Sequence, residues 1–144
     1  MRILLPIIGL SLFLLYGCKR NKMLRETVYT GTTQVQYEQV IKDSLTGGLS
    51  TFQWDSSYTD QVRVTVDYEQ ERIRFDLSPQ QHLCANLHDS YTFPIDGSLY
   101  QQVFNSVSQE SFFLENELLH RNLFWEEGNG DSYTRRVLNF QGRR

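Results

Sequence analysis

Only two cysteines, Cys18 and Cys84, occur among the 144 residues. That is too few for the disulfide framework of a small secreted domain. The chain also lacks a basic stripe: 14 Lys and Arg stand against 17 Asp and Glu, a formal net charge of −3. This balance argues against nucleic acid as a partner and against adhesion to anionic lipid by charge. There is no long amphipathic helical pattern. A His-Glu metal signature, a phosphate-cradling glycine loop and a nucleophile elbow are missing too. Long apolar runs are confined to the amino end, and that one is shorter than the roughly 20 residues a spanning helix needs.

What the chain does have begins with that run. Met1-Arg2 precedes an apolar segment from Ile3 to Tyr16, interrupted by Pro6 and Gly9. One cation followed by such a segment is the layout of a secretory signal, with a short uncleaved anchor as the alternative. The flank Leu15-Tyr16-Gly17-Cys18 resembles the lipobox of bacterial lipoproteins. The resemblance implies a cleaved signal peptide over 1–17, a diacylglyceryl group on the Cys18 thiol, and a new amino group acylated by a chain such as palmitate. Lys19-Arg20 follows, without the Asp that in related bacteria signals inner-membrane retention, so the expected location is the outer membrane. Losing Arg2 with the signal makes the mature chain slightly more acidic. Cys84 is then a single thiol, read as buried.

Residues 18–26 read as a lipidated tether and 27–144 as one β domain. Strand chemistry starts at Thr27, with Tyr29, Val35 and Tyr37 sharing parity. The strictest alternation puts Val62, Val64, Val66 and Tyr68 on one face and Arg63, Thr65 and Asp67 on the other, the pattern of a half-buried antiparallel strand. Ile73-Arg74-Phe75-Asp76-Leu77 resumes it after a polar loop. Thr46-Gly47-Gly48, Asp96-Gly97 and Gly128-Asn129-Gly130-Asp131 are turn signals. Leu114 to Arg121 suits a helix by composition, but a strand gives the terminal hairpin a neighbour.

Short strands and frequent turns predict an all-β fold, an antiparallel up-and-down meander forming a small barrel or flattened sandwich. Through "YTGTTQVQY", "YTDQVRVTV" and "YTRRVLNFQG" the chain also resembles the calycin-like (lipocalin-like) small lipoproteins of Gram-negative bacteria, which implies a β-barrel.

His82-x-Cys84-x3-His88 is the one cluster of metal-ligand types, suited to zinc or copper. No fourth ligand is evident, so packing or surface roles are preferred and no metal or cofactor is expected. Activation of Cys84 by His82 or His88 is disfavoured by their spacing along a strand. The acids, Asp55, Asp60, Asp67 and Glu126 among them, read as solvent-facing charges. Aromatic residues exceed what a small core needs; core and cross-strand packing is their first reading, and Trp54 and Trp125 are the candidate ligand-binding residues if they instead serve a stacked sugar or an apolar ligand. The expected protein is a non-enzymatic lipoprotein whose barrel binds a small ligand or a partner protein, held to the bilayer by acylated Cys18. The alternatives are an inhibitor or immunity-type protein that blocks an enzyme with a loop, and a small carboxylate hydrolase.

Overall fold

A computed structural model describes residues 24–78 and 88–144. The signal segment, Cys18, His82 and Cys84 lie outside the described residues. Eight antiparallel strands form one sheet: β1 Leu24–Lys42, β2 Leu49–Asp67, β3 Arg72–Leu77, β4 Ser90–Pro94, β5 Leu99–Val103, β6 Gln109–Glu115, β7 Leu118–Asn129 and β8 Ser132–Arg143. The order across the sheet is β4-β3-β2-β1-β8-β7-β6-β5. Neighbours in sequence are neighbours in space, and β8 returns to pair with β1, so the meander is up-and-down as predicted.

The two edges, β4 and β5, are consecutive in the chain and only residues 95–98 separate them. No ladder joins them, and aromatic side chains span the seam instead. The Phe75 and Phe112 rings stack at 4.3 Å, Phe75 lies 5.4 Å from Tyr100, Phe93 5.8 Å from Tyr100, and Tyr91 5.4 Å from Phe112. Each such pair contributes about 0.5–1.5 kcal/mol beyond its burial. The sheet is thus a nearly closed barrel, zipped by rings where hydrogen bonds stop.

Alternation fills the interior. Tyr29, Thr33 and Val35 of β1 are buried while Thr30, Thr32 and Gln34 face out; Asp60, Val62 and Val64 of β2 do the same against Gln61 and Arg63. From the other half come Phe112, Leu119, Leu123, Leu138 and Phe140. Three expectations need correcting. Tyr68 falls beyond the end of β2 and is 52% exposed, so it does not share the core face. Asp60 is buried, accepting hydrogen bonds from the Thr33 hydroxyl at 3.2 Å and its neighbour's amide, Gln61 N–H, at 2.7 Å. The strand β1 already begins at Leu24, taking in the last residues of the segment read as tether.

Strands β1 and β8 meet closely where Gly31 pairs with Gly142. A Cβ on Gly31 would sit 1.9 Å from the Gln141 carbonyl oxygen, and one on Gly142 would strike the Phe140 ring. Gly31→Ala should therefore cost about 1–3 kcal/mol through overpacking, read as a lower urea midpoint. An unchanged midpoint would show that the two strands can part freely.

Strand lengths set the shape. The β3 ladder reaches along β2 only to Val62, and the β6 ladder along β7 only to Phe124. Strands β2, β1, β8 and β7 continue beyond both, pairing up to Lys42↔Leu49 and Asn129↔Ser132. A four-stranded wall therefore rises past the filled barrel, and its inner face continues the barrel's interior face.

Candidate functional site

The register determines what this inner face carries. Tyr37 pairs with Trp54 on one side and with Arg136 on the other, and Arg136 pairs with Trp125. The first row above the Val35–Leu138–Leu123 layer thus reads Trp54, Tyr37, Arg136, Trp125 across four strands. Sequence reasoning picked the two tryptophans separately; the sheet sets them at the two ends of one row.

Their surroundings differ. Trp125 is covered by Phe104, whose ring lies edge-on at 5.5 Å. Phe104 is held there by a tight turn: its N–H donates to the Ser108 carbonyl, and Asn105 Oδ1 accepts from the Val107 and Ser108 amides. The buried Ser108 hydroxyl in turn donates to the Glu126 carbonyl and accepts from its amide. Trp125 is therefore packed beneath a pinned loop. Trp54 instead lines a cavity of about 300 Å³ with Tyr37, Gln39, Phe52 and Arg136. Phe52 is 59% exposed and edge-on to Tyr37 at 6.2 Å.

Arg136 is the unusual member. Its Nε is buried and has no hydrogen-bond acceptor among the described residues. Two other arginines of β7 and β8 are paired, the buried Arg121 and the part-exposed Arg135. Arg121 binds Glu110, and Arg135 binds Glu126 at 2.9 Å and Glu38 at 3.3 Å. The Arg135 guanidinium also lies over the Tyr133 and Phe124 rings, at 5.1 and 5.8 Å. That outer cluster is satisfied within itself. Bonding to Glu126 raises the proton affinity of Arg135 further, keeping it charged.

Inside the barrel a second polar group was missed from sequence. Arg121 Nε and Glu110 Oε1 are 2.5 Å apart, with side chains 1% and 0% exposed. The Tyr91 hydroxyl and Glu110 Oε2 are buried there too, and neither reaches a partner at full hydrogen-bond geometry among the described residues. Burial first, then the Glu110 carboxylate, pushes the Tyr91 hydroxyl well above the usual tyrosine range. The folded protein therefore keeps a proton there that the unfolded chain releases near pH 10. Stability should be intact below that pH and decline above it, by up to about 1.4 kcal/mol per pH unit for one such group. Tyr91→Phe should flatten that decline in urea titrations between pH 9 and 11, and an equally steep profile would contradict the assignment.

Of the cluster His82, Cys84 and His88, only His88 is described; its ring packs against Tyr91 at 5.4 Å and Phe104 at 6.0 Å. Among the described residues no group of three His, Cys, Asp or Glu side chains is placed to hold a metal. No protein-family model matches the chain, and no curated protein is recognisably similar to it.

Proposed function

We propose that the chain is a lipid-anchored, non-enzymatic binding protein of the outer membrane, tethered through acylated Cys18. Its barrel-like domain binds on the inner face of the tall wall. One contrast supports this reading. The barrel interior is filled with side chains, from Phe75 and Phe112 to Val35 and Leu138, whereas the same face one row higher opens into a cavity lined by aromatic residues and an arginine. A ligand carried deep in the barrel would have to displace that core.

The test is thermal unfolding of the full chain in detergent against monosaccharides, amino acids, aromatic acids and short peptides. Binding at a hundredfold excess over Kd adds about 2.7 kcal/mol. At least one class should raise the midpoint, and Trp54→Ala should remove that shift. A shift indifferent to Trp54→Ala would place binding elsewhere.

The inhibitor reading has one observation in its favour. The turn at residues 43–48 is ordered by Asp43, whose Oδ1 accepts the Leu45 and Thr46 amides and whose carboxyl is thereby held below the usual range. At its tip Leu45 is 94% exposed, flanked by Ile41 and Leu49. A blocking loop would lose its partner with Leu45→Asp, while a ligand shift at Trp54 would survive.

A further inference from the structure

We propose that the cavity at Trp54 and Arg136 is selective for a small ligand pairing a carboxylate with a flat apolar ring. This rests on the reading that the inner face of the wall is the binding surface, and it names the chemistry that the face would take. Charge points to the carboxylate. A buried N–H needs an acceptor, and Nε of the half-buried Arg136 has none among the described residues. In the register its neighbours are Tyr37 and Trp125, and one step up the row holds Gln39 and Thr134. The nearest acid on that face, Glu127, pairs with Thr134 and makes no ion pair with Arg136. Arg121 and Arg135 each have a carboxylate of this chain. A guanidinium meets a carboxylate through two parallel N–H donors, a geometry that suits one planar anion.

Shape points to the ring. The cavity, about 300 Å³, is at the small end of ligand pockets, which run from roughly 300 to 1,000 Å³. Tyr37, beside Arg136, and Trp54 and Phe52 beyond it supply aromatic surface. Phe52, although apolar, stays more than half exposed, which leaves surface for a ring to cover. A phosphate or a bare inorganic anion would use the arginine and waste the rings; a neutral ring would do the reverse.

The probes are 2-naphthoate and its neutral isostere 2-naphthamide, titrated into the full chain with tryptophan emission as readout. The acid should bind at least about tenfold more tightly, as a charge-assisted bidentate pair requires. Arg136→Gln should erase that preference while leaving naphthamide binding unchanged, and Trp54→Phe should remove most of the signal without abolishing the preference seen by calorimetry. Equal affinity for acid and amide, or a preference that survives Arg136→Gln, overturns the carboxylate selectivity but leaves the face as a binding surface. Binding of both probes that Trp54→Ala and Tyr37→Ala leave untouched overturns the face itself. A folded Arg136→Gln variant is verified by an unchanged thermal midpoint without ligand. Should Arg136→Gln fail to fold, Arg136→Lys, which keeps the charge and loses the fork, must lower the preference for the acid; an undiminished preference overturns the proposal.

Discussion

Arg121→Ala is expected to destabilise the domain by about 3–5 kcal/mol, because it strands a buried carboxylate without its partner. For a domain of this size that corresponds to a fall in Tm of roughly 10–20 °C. Glu110 and Leu123 are direct cross-strand partners, and so are Phe112 and Arg121; the acid and the base are therefore diagonal neighbours on the inner face. Their side chains reach each other across hydrophobic ground made by Phe112, Leu119, Leu123 and Phe140. A carboxylate in that setting has no water to turn to once the guanidinium is gone. Glu110→Gln should cost less than Arg121→Ala, since a neutral amide can still accept from Arg121.

The converse variant separates the pair's net value from the cost of breaking it. Replacing both residues, as Glu110→Leu with Arg121→Met, removes both desolvation penalties at once and should recover most of the loss. If the double replacement is as unstable as Arg121→Ala alone, the pair contributes more than the shape it fills. The Tyr91 hydroxyl enters the same balance because it lies against Glu110. Tyr91→Phe combined with the double replacement should be nearly additive only if the hydroxyl has no further role there.

This pair shows where sequence reading stopped. The inward positions of β7 run Leu119, Arg121, Leu123, Trp125, and those of β6 run Glu110, Phe112, Leu114. Period-two counting places both charges on the apolar face, and one acid with one base in adjacent strands was the available signal. Treating acids as surface charges hid it, as it hid Asp60, whose parity matches Val62 and Val64. The all-β meander and its turns were legible because alternation is a local property and each strand carries it. Which strands grow long was not: β2 continues unbroken from Leu49 to Asp67 through Asp55-Ser56-Ser57, a polar stretch that looks like a loop until β1 is found paired to all of it. The wall, and with it the shared row of Trp54 and Trp125, depends on that long-range pairing. Arg136 looked like any strand cation, since the absence of a partner is a property of the fold.

Cys18→Ala is expected to abolish incorporation of labelled palmitate, whereas Cys84→Ala should leave it intact. The effect should be total, because the proposed acylation is confined to a single thiol and its new amino group. In free-energy terms it is also the largest change proposed: each buried methylene contributes about 0.8 kcal/mol, one chain holds only marginally, and two or more anchor a protein permanently. Fractionation alone would be a poor readout, since a chain that keeps residues 1–17 also keeps an apolar segment able to hold it at the membrane. Labelling and the mass of the amino-terminal peptide avoid that ambiguity, and an intact Met1 on the wild-type protein would sink the assignment. The geometry adds a second expectation. β1 starts at Leu24, so at most about 20 Å of chain separates the fold from an anchored Cys18. From there β1 runs to Tyr37, about 40 Å further at the usual strand rise. An anchor at Cys18 would thus join β1 at its Leu24 end, well away from Tyr37 along the strand. Cys18→Ala should leave both the thermal midpoint and the affinity for 2-naphthoate unchanged, and an altered affinity would mean that the bilayer reaches the wall.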